Sequence, residues 1–200
     1  MSGNRFKKGT LAAIVGLGAA ALLYSSTPEQ ESGRKVSVSI ADDGTATVRH
    51  VSGPQYLRAY RDIAGVATAC DGITKGVKMG QVYTEAQCNA KLERELVAHA
   101  EGVMRCSPTL ATDAPDWRRF AAVDHGYQFG VAGWCGSTAR RLIDQGKIAE
   151  GCADLLRWNK AGGRFSNGVQ RRSYRRMEYC RTGLPGFPAS TLQARLKPWL

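Results

Sequence analysis

Three side chains in the first half of the chain can exchange protons within a short stretch: His50, Asp62 and Asp71, with the Thr68 hydroxyl between the two carboxyls. An imidazole has an ordinary pKa of about 6.5 and can act as an acid near neutrality. Carboxyls and imidazoles are the groups most used for general acid–base work. Each residue also has a plainer use. Asp62 suits a turn or an ion pair with nearby Arg58 or Arg61, and Thr68 suits a strand. Asp71 suits the turn backbone beside Gly72, and a lone His50 suits a surface.

The second reactive set is six cysteines: Cys70, Cys88, Cys106, Cys135, Cys152 and Cys180. An even number in an oxidising compartment reads as three bridges, and six cysteines allow fifteen connectivities. Zinc normally wants short C-x-x-C or H-x-x-x-H pairs, and none is present.

The N-terminus points to such a compartment. Arg5, Lys7 and Lys8 precede an uncharged run from Gly9 to Tyr24, the positive-then-apolar order of an export signal. As a helix this run spans about 24 Å, marginal against a hydrocarbon core of about 30 Å. Secretion and weak anchoring both stay open. No small-x-small cleavage site follows Leu23, and Ser25 to Gly33 reads as a polar linker. A buried core helix is the alternative, but the run is apolar all round, so residues 1–34 are set aside from the fold.

The remaining chain suits one domain with short appendages, since 200 residues are too few for two ordinary ones. With 43% hydrophobic and 22% charged residues, neither disorder nor a polytopic membrane protein fits. The net charge of +11 favours polyanionic surfaces. Export argues against nucleic acid and leaves anionic lipid and the bacterial wall.

The elements that must position the reactive groups follow from pattern. Val36 to Ile40 and Thr45 to Val51 alternate around Asp42-Asp43-Gly44, which predicts a β-hairpin. Tyr56 to Thr74 reads as a second small strand-and-loop region. Thr84-Glu85-Ala86-Gln87 is a capping box, opening a helix that buries Leu92, Leu96, Ala100, Val103 and Met104 and ends near Cys106. Pro115 starts another, with Phe120, Val123, Tyr127 and Val131 as its stripe and the stretch from Gly130 to Gly136 interrupting it. Ser137 caps a short helix stopped at Gly146, and a helix follows over Ile148 to Trp158. Asn159 to Gly168 reads as a loop and Gly168 to Arg181 as a last helix. The fold class is α+β, mostly helical, with a small N-terminal β region and a helical lobe. The expected organisation is an export segment and linker over 1–34, a domain over 35–184 and a tail over 185–200.

The run from Arg58 to Thr74 fits A-Y-x-D-x-x-G-x-x-T-x-C-x-G-x-T at every fixed position. It resembles the cleft segment of phage-type lysozymes, glycoside hydrolase family 24. Tyr83 to Cys88, Tyr127 to Gly130, Cys135 to Thr138, Trp158 to Gly163 and Arg171-Arg172 resemble later family segments. Among these proteins the likeness is to exported endolysins whose N-terminal segment first holds the enzyme at the inner membrane and then releases it. The resemblance implies a lysozyme-like fold with bridges Cys70–Cys88, Cys106–Cys135 and Cys152–Cys180. It implies hydrolysis of the β-1,4 bond between N-acetylmuramic acid and N-acetylglucosamine in peptidoglycan strands. It also implies an exported monomer at the periplasm or inner membrane, held through residues 9–24, with no cofactor, no metal and no nucleic-acid partner.

The family works with a Glu–Asp–Thr trio. Asp62 falls at its aspartate, as the base for water, and Thr68 at its threonine, holding that water. The position of the family's glutamate is Gly53, which cannot donate a proton. His50 and Asp71 are the candidate substitute acids. Gln128 replaces an Asn, Asp124-His125 replaces a small or apolar pair, and Arg176 stands where an acidic residue is usual. These departures leave a second reading open, a lysozyme-like peptidoglycan-binding protein without turnover. An exported basic protein acting on membranes is a third.

Overall fold

The computed structural model describes residues 6–62 and 64–197, which fall into two units, Met1–Ala98 and His99–Leu200. Arg5 of the expected export signal, Ile63 of the cleft run and the last three residues of the tail lie outside the described residues.

In the first unit the apolar N-terminal run is two helices, α1 (Leu11–Val15) and α2 (Leu17–Ser32), divided at Gly16. The Thr10 hydroxyl caps α1 by accepting from the Ala13 N–H at 3.3 Å. The sequence suggests that this segment stands outside the fold and that a polar linker starts at Ser25. Instead Leu11, Val15, Ala19, Ala20 and Leu23 are buried, and the helix continues to Ser32. The serines are compatible with a helix here because their hydroxyls turn inward: Ser25 and Ser26 donate to Leu22 O, at 3.1 and 2.7 Å. Gly33, left-handed at φ 76°, closes the helix with its N–H on Glu29 O. Among the described residues, no helix is long and apolar enough to cross a membrane.

The predicted hairpin follows as β1 (Lys35–Ile40) and β2 (Ala46–Ser52), antiparallel, with Val38 opposite Val48 and Val36 opposite His50. A second, two-residue pair is β3 (Tyr60–Arg61) and β4 (Ala67–Thr68). Ala59, Ala69, Cys70, Ile73, Val77 and Cys88 close a small core behind it. The Cys70–Cys88 bridge ties this segment to α3 (Glu85–Arg105). The capping box forms as expected: Gln87 N–H donates to the Thr84 hydroxyl at 3.2 Å, and Thr84 N–H donates to Gln87 Oε1 at 2.8 Å.

The second unit is helical. After the end of α3 come α4 (Pro108–Asp113), α5 (Asp116–Phe129), α6 (Val131–Cys135), α7 (Thr138–Asp144) and α8 (Ile148–Asp154). The tight pair β5 (Lys160–Ala161) and β6 (Arg164–Phe165) precedes α9 (Asn167–Arg181), and α10 (Leu192–Leu196) lies in the tail. The region read as a loop is thus a hairpin. Gly162 and Gly163, at φ 54° and 78°, supply the two left-handed residues that its turn requires. Bridges Cys106–Cys135 and Cys152–Cys180 complete the set implied by the family resemblance.

The residues that depart from the family pattern meet one another where α5 packs on α9. Asp124, almost wholly buried, accepts from Arg172 Nη2 at 2.9 Å and from Arg176 Nε. Arg176 also donates to Gln128 Oε1. A buried carboxylate is tolerable only when paired and hydrogen-bonded, and the two guanidiniums hold Asp124 well below the usual carboxylate range against the cost of its burial. The change to Arg176 therefore goes with the change to Asp124, as one ionic cluster.

His125 beside it lies among Phe129, Trp134 and Trp158, at ring-centroid distances of 4.9, 5.5 and 4.6 Å. Neither imidazole nitrogen has a hydrogen-bond partner among the described residues. Burial first, and then the charge of Arg176, hold its pKa down to about 3. The unfolded chain takes up this proton as pH falls through about 6.5, while the folded chain refuses it until near 3. Stability is thus lost on acidification across that window, by roughly 3 kcal/mol between about pH 7 and about pH 4. Denaturant unfolding at these two pH values, comparing the native chain with His125→Leu, should show a shallower acid loss in the variant.

Candidate active site

The β3–β4 turn is built around one carboxylate. Asp62 Oδ1 accepts from the backbone N–H groups of Ala64 and Val66, at 2.9 and 2.8 Å. Its Oδ2 lies 3.3 Å from the Thr68 hydroxyl, which is also 3.1 Å from Val66 O. Thr68 is buried and Asp62 half-buried. The aspartate therefore organises its own turn through Oδ1 and leaves Oδ2 beside the Thr68 hydroxyl. Tyr56 and Tyr60 pack at 4.9 Å between ring centroids next to it. Burial, and then Tyr56 and Asp62, push the Tyr60 phenol up.

His50 is elsewhere in this unit. Its N–H donates to Glu85 Oε1 at 2.6 Å, and it lines a groove with Tyr24, Arg49, Glu85, Asn89 and Glu93, none of them from the 56–74 segment. Asp71 is on the segment but only 1% exposed. Its two oxygens take a fork from Arg34, Nε at 2.9 Å and Nη2 at 2.7 Å, and Oδ1 also takes the Ser32 hydroxyl at 2.8 Å. Both oxygens of this carboxylate are thus taken up by hydrogen bonds from within the fold.

Gly53 has a geometric reason to be glycine. It sits at φ 86°, and a Cβ there would lie 2.3 Å from Gly33 O. No glutamate fits this backbone. The same contact shows that the β1–β2 hairpin leaves and re-enters the chain at one place, with the end of α2 on one side and the cleft segment on the other. The last turn of α2 carries Glu31. A Cβ built on Gly72 would stand 3.6 Å from Glu31 Cβ and 3.9 Å from its Oε2. Glu31 is exposed, and Gly72, which it meets, is one residue along from Asp71 and four from Thr68. Counting back along the chain from Tyr60 misses it, because the hairpin is interposed. The available signal was a hairpin bounded by Gly33 and Gly53 directly after a helix ending Glu-Ser-Gly.

Comparison with known proteins matches the Phage lysozyme family model over residues 53–176, beginning at Gly53 and leaving the hairpin and Glu31 upstream. The SAR-endolysin of Bacteriophage PS119 is 34% identical over 143 residues, covering 71% of this chain and 80% of the relative. That of Enterobacteria phage P21 is 35% identical over 134 residues, 66% of this chain and 79% of the relative. The structure described as the active form of P1 phage endolysin Lyz superposes with a TM-score of 0.57 at 22% identity, over 64% of this chain and 77% of that one. An endolysin from Escherichia coli O157:H7 phage FAHEc1 gives 0.57 at 22% identity, over 68% and 87%. The α+β, mostly helical class, the cleft-segment pattern and a family model matching more than half of the sequence agree, and the chain belongs to the phage lysozyme family.

Proposed function

We propose that this chain lyses peptidoglycan by hydrolysing the β-1,4 bond between N-acetylmuramic acid and N-acetylglucosamine, with Glu31 as the general acid. Water attacks the anomeric carbon, Asp62 takes its proton, and the Thr68 hydroxyl holds it in place. The glycosidic bond breaks toward the leaving oxygen, which receives the Glu31 proton. This is the two-carboxyl scheme in which acid and base flank the bond. The observation that carries it is the approach of Glu31 to Gly72, on the segment that bears Asp62 and Thr68. Asp71, whose oxygens are engaged by Arg34 and Ser32, and His50, in a different groove, take no part in the chemistry.

The net charge of +11 draws the enzyme to the anionic wall. Residues 9–24 give a weak hold on the inner membrane before α1 and α2 pack, and the released enzyme acts in the periplasm as a monomer. Burial of Leu11, Val15 and Leu23 supports the packed state as the working one.

Release of reducing ends from purified peptidoglycan checks the assignment. Glu31→Gln and Asp62→Asn should each lower the rate by about 10²-fold or more, while Glu29→Gln, on the same exposed helix end, stays near the native rate. Undiminished release by Glu31→Gln would remove it as the acid. Adding Gly53→Glu to Glu31→Gln should not restore activity and should lower the melting temperature, because the new side chain meets Gly33 O.

A further inference from the structure

The hairpin base holds more than a chain crossing. Ser32 and Arg34 flank Gly33 directly after Glu31, and both reach the same carboxylate, Asp71, the residue before Gly72. The Ser32 hydroxyl lies 2.8 Å from Asp71 Oδ1 and 2.9 Å from Pro28 O, and it accepts the Arg34 N–H at 3.3 Å. The Arg34 guanidinium forks onto Asp71 and donates a further bond to Asn89 Oδ1 on α3 at 3.1 Å. Asn89 in turn donates to Val48 O of β2 at 2.7 Å. Glu85 adds a looser contact, with Oε1 3.9 Å from Arg34 Nη1. Arg34 and Asp71 are 3% and 1% exposed, so the pair works in a medium that screens it little.

We propose that Asp71, Arg34 and Ser32 form a positioning cluster that sets the Glu31 carboxyl against the cleft segment for proton donation. The proposal rests on Glu31 being the acid. The cluster joins the end of α2 to the cleft segment one residue from the point where Glu31 meets Gly72. Gross attachment of that segment is already supplied by the adjacent Cys70–Cys88 bridge to α3. What the bridge leaves free is the register of the helix end against the segment, and proton transfer is sensitive to it: displacement by about 1 Å costs on the order of 10²-fold.

The test uses the full oxidised chain and two substrates, peptidoglycan and the dinitrophenyl β-glycoside of the N-acetylglucosamine–N-acetylmuramic acid disaccharide. The dinitrophenolate leaves without protonation, so its release does not need the acid. Asp71→Asn keeps the shape and removes the charge, and Ser32→Ala removes one hydroxyl and leaves the ion pair. Each should lower kcat on peptidoglycan by about 10-fold or more, with KM within about twofold, while release of dinitrophenolate falls by less than about threefold. Should Asp71→Asn fail to fold, Ser32→Ala carries the test alone. An equal fall on both substrates, or an unchanged kcat on peptidoglycan, would overturn the cluster's positioning role. Glu31→Gln, run beside them, separates the two ideas. If it shows the split between substrates and the cluster variants do not, only the positioning proposal fails. If it keeps full activity on peptidoglycan, the acid assignment fails and takes the positioning proposal with it.

Discussion

The backbone of Gly33 presses against Gly53 so closely that no side chain fits between them, and the arrangement of the first unit follows from that contact. It turns the β1–β2 hairpin into a closed excursion, so the chain before it and the chain after it behave in space as neighbours. The end of α2 is thereby delivered to the segment that carries Asp62, Thr68 and Gly72. The clash holds Gly53 to glycine, and both residues adopt positive φ, which favours glycine at either end. Around this contact the buried Arg34–Asp71 pair and the Cys70–Cys88 bridge fix what the glycines bring together.

The second unit shows the same economy of charge. Asp124, Arg172 and Arg176 would each be costly alone in an interior, and each is matched. Glu178, wholly buried on α9, is answered by Arg181 on its own helix and by Arg195 from the tail, at 2.6 Å to Oε2 in the latter case. The tail read from sequence as an appendage thus neutralises a buried charge. Substitutions that look like erosion of a family pattern when taken singly are a rearranged ion network when their partners are known.

Much of this was legible before any coordinates. The hairpin, the capping box at Thr84, the Ser137 cap and the last helix, expected over 168–181 and found over Asn167–Arg181, depend on interactions within a few residues, which sequence displays directly. The meeting of Asp62 with Thr68 was legible for the same reason, the two being six residues apart. Glu31 was not, because spacing along the chain stands for distance only while no closed excursion intervenes. Composition places the N-terminal run outside the fold because it describes a segment and is blind to its partner. An apolar run that suits a membrane suits a protein core equally well, and here Leu11, Val15 and Leu23 are in one. The Gly162-Gly163 turn was visible as glycine content but was read as looseness rather than as the two left-handed positions of a tight hairpin.

The central claim is that a hairpin has displaced the acid in sequence without displacing it in space. A crystal structure of Asp62→Asn with a bound peptidoglycan tetrasaccharide tests it most directly. The account predicts the Glu31 carboxyl within about 3 Å of the scissile glycosidic oxygen, with position 62 on the opposite face of the sugar. A glycosidic oxygen resting against His50 or Asp71, or a glycan whose scissile bond lies out of reach of Glu31, would contradict it.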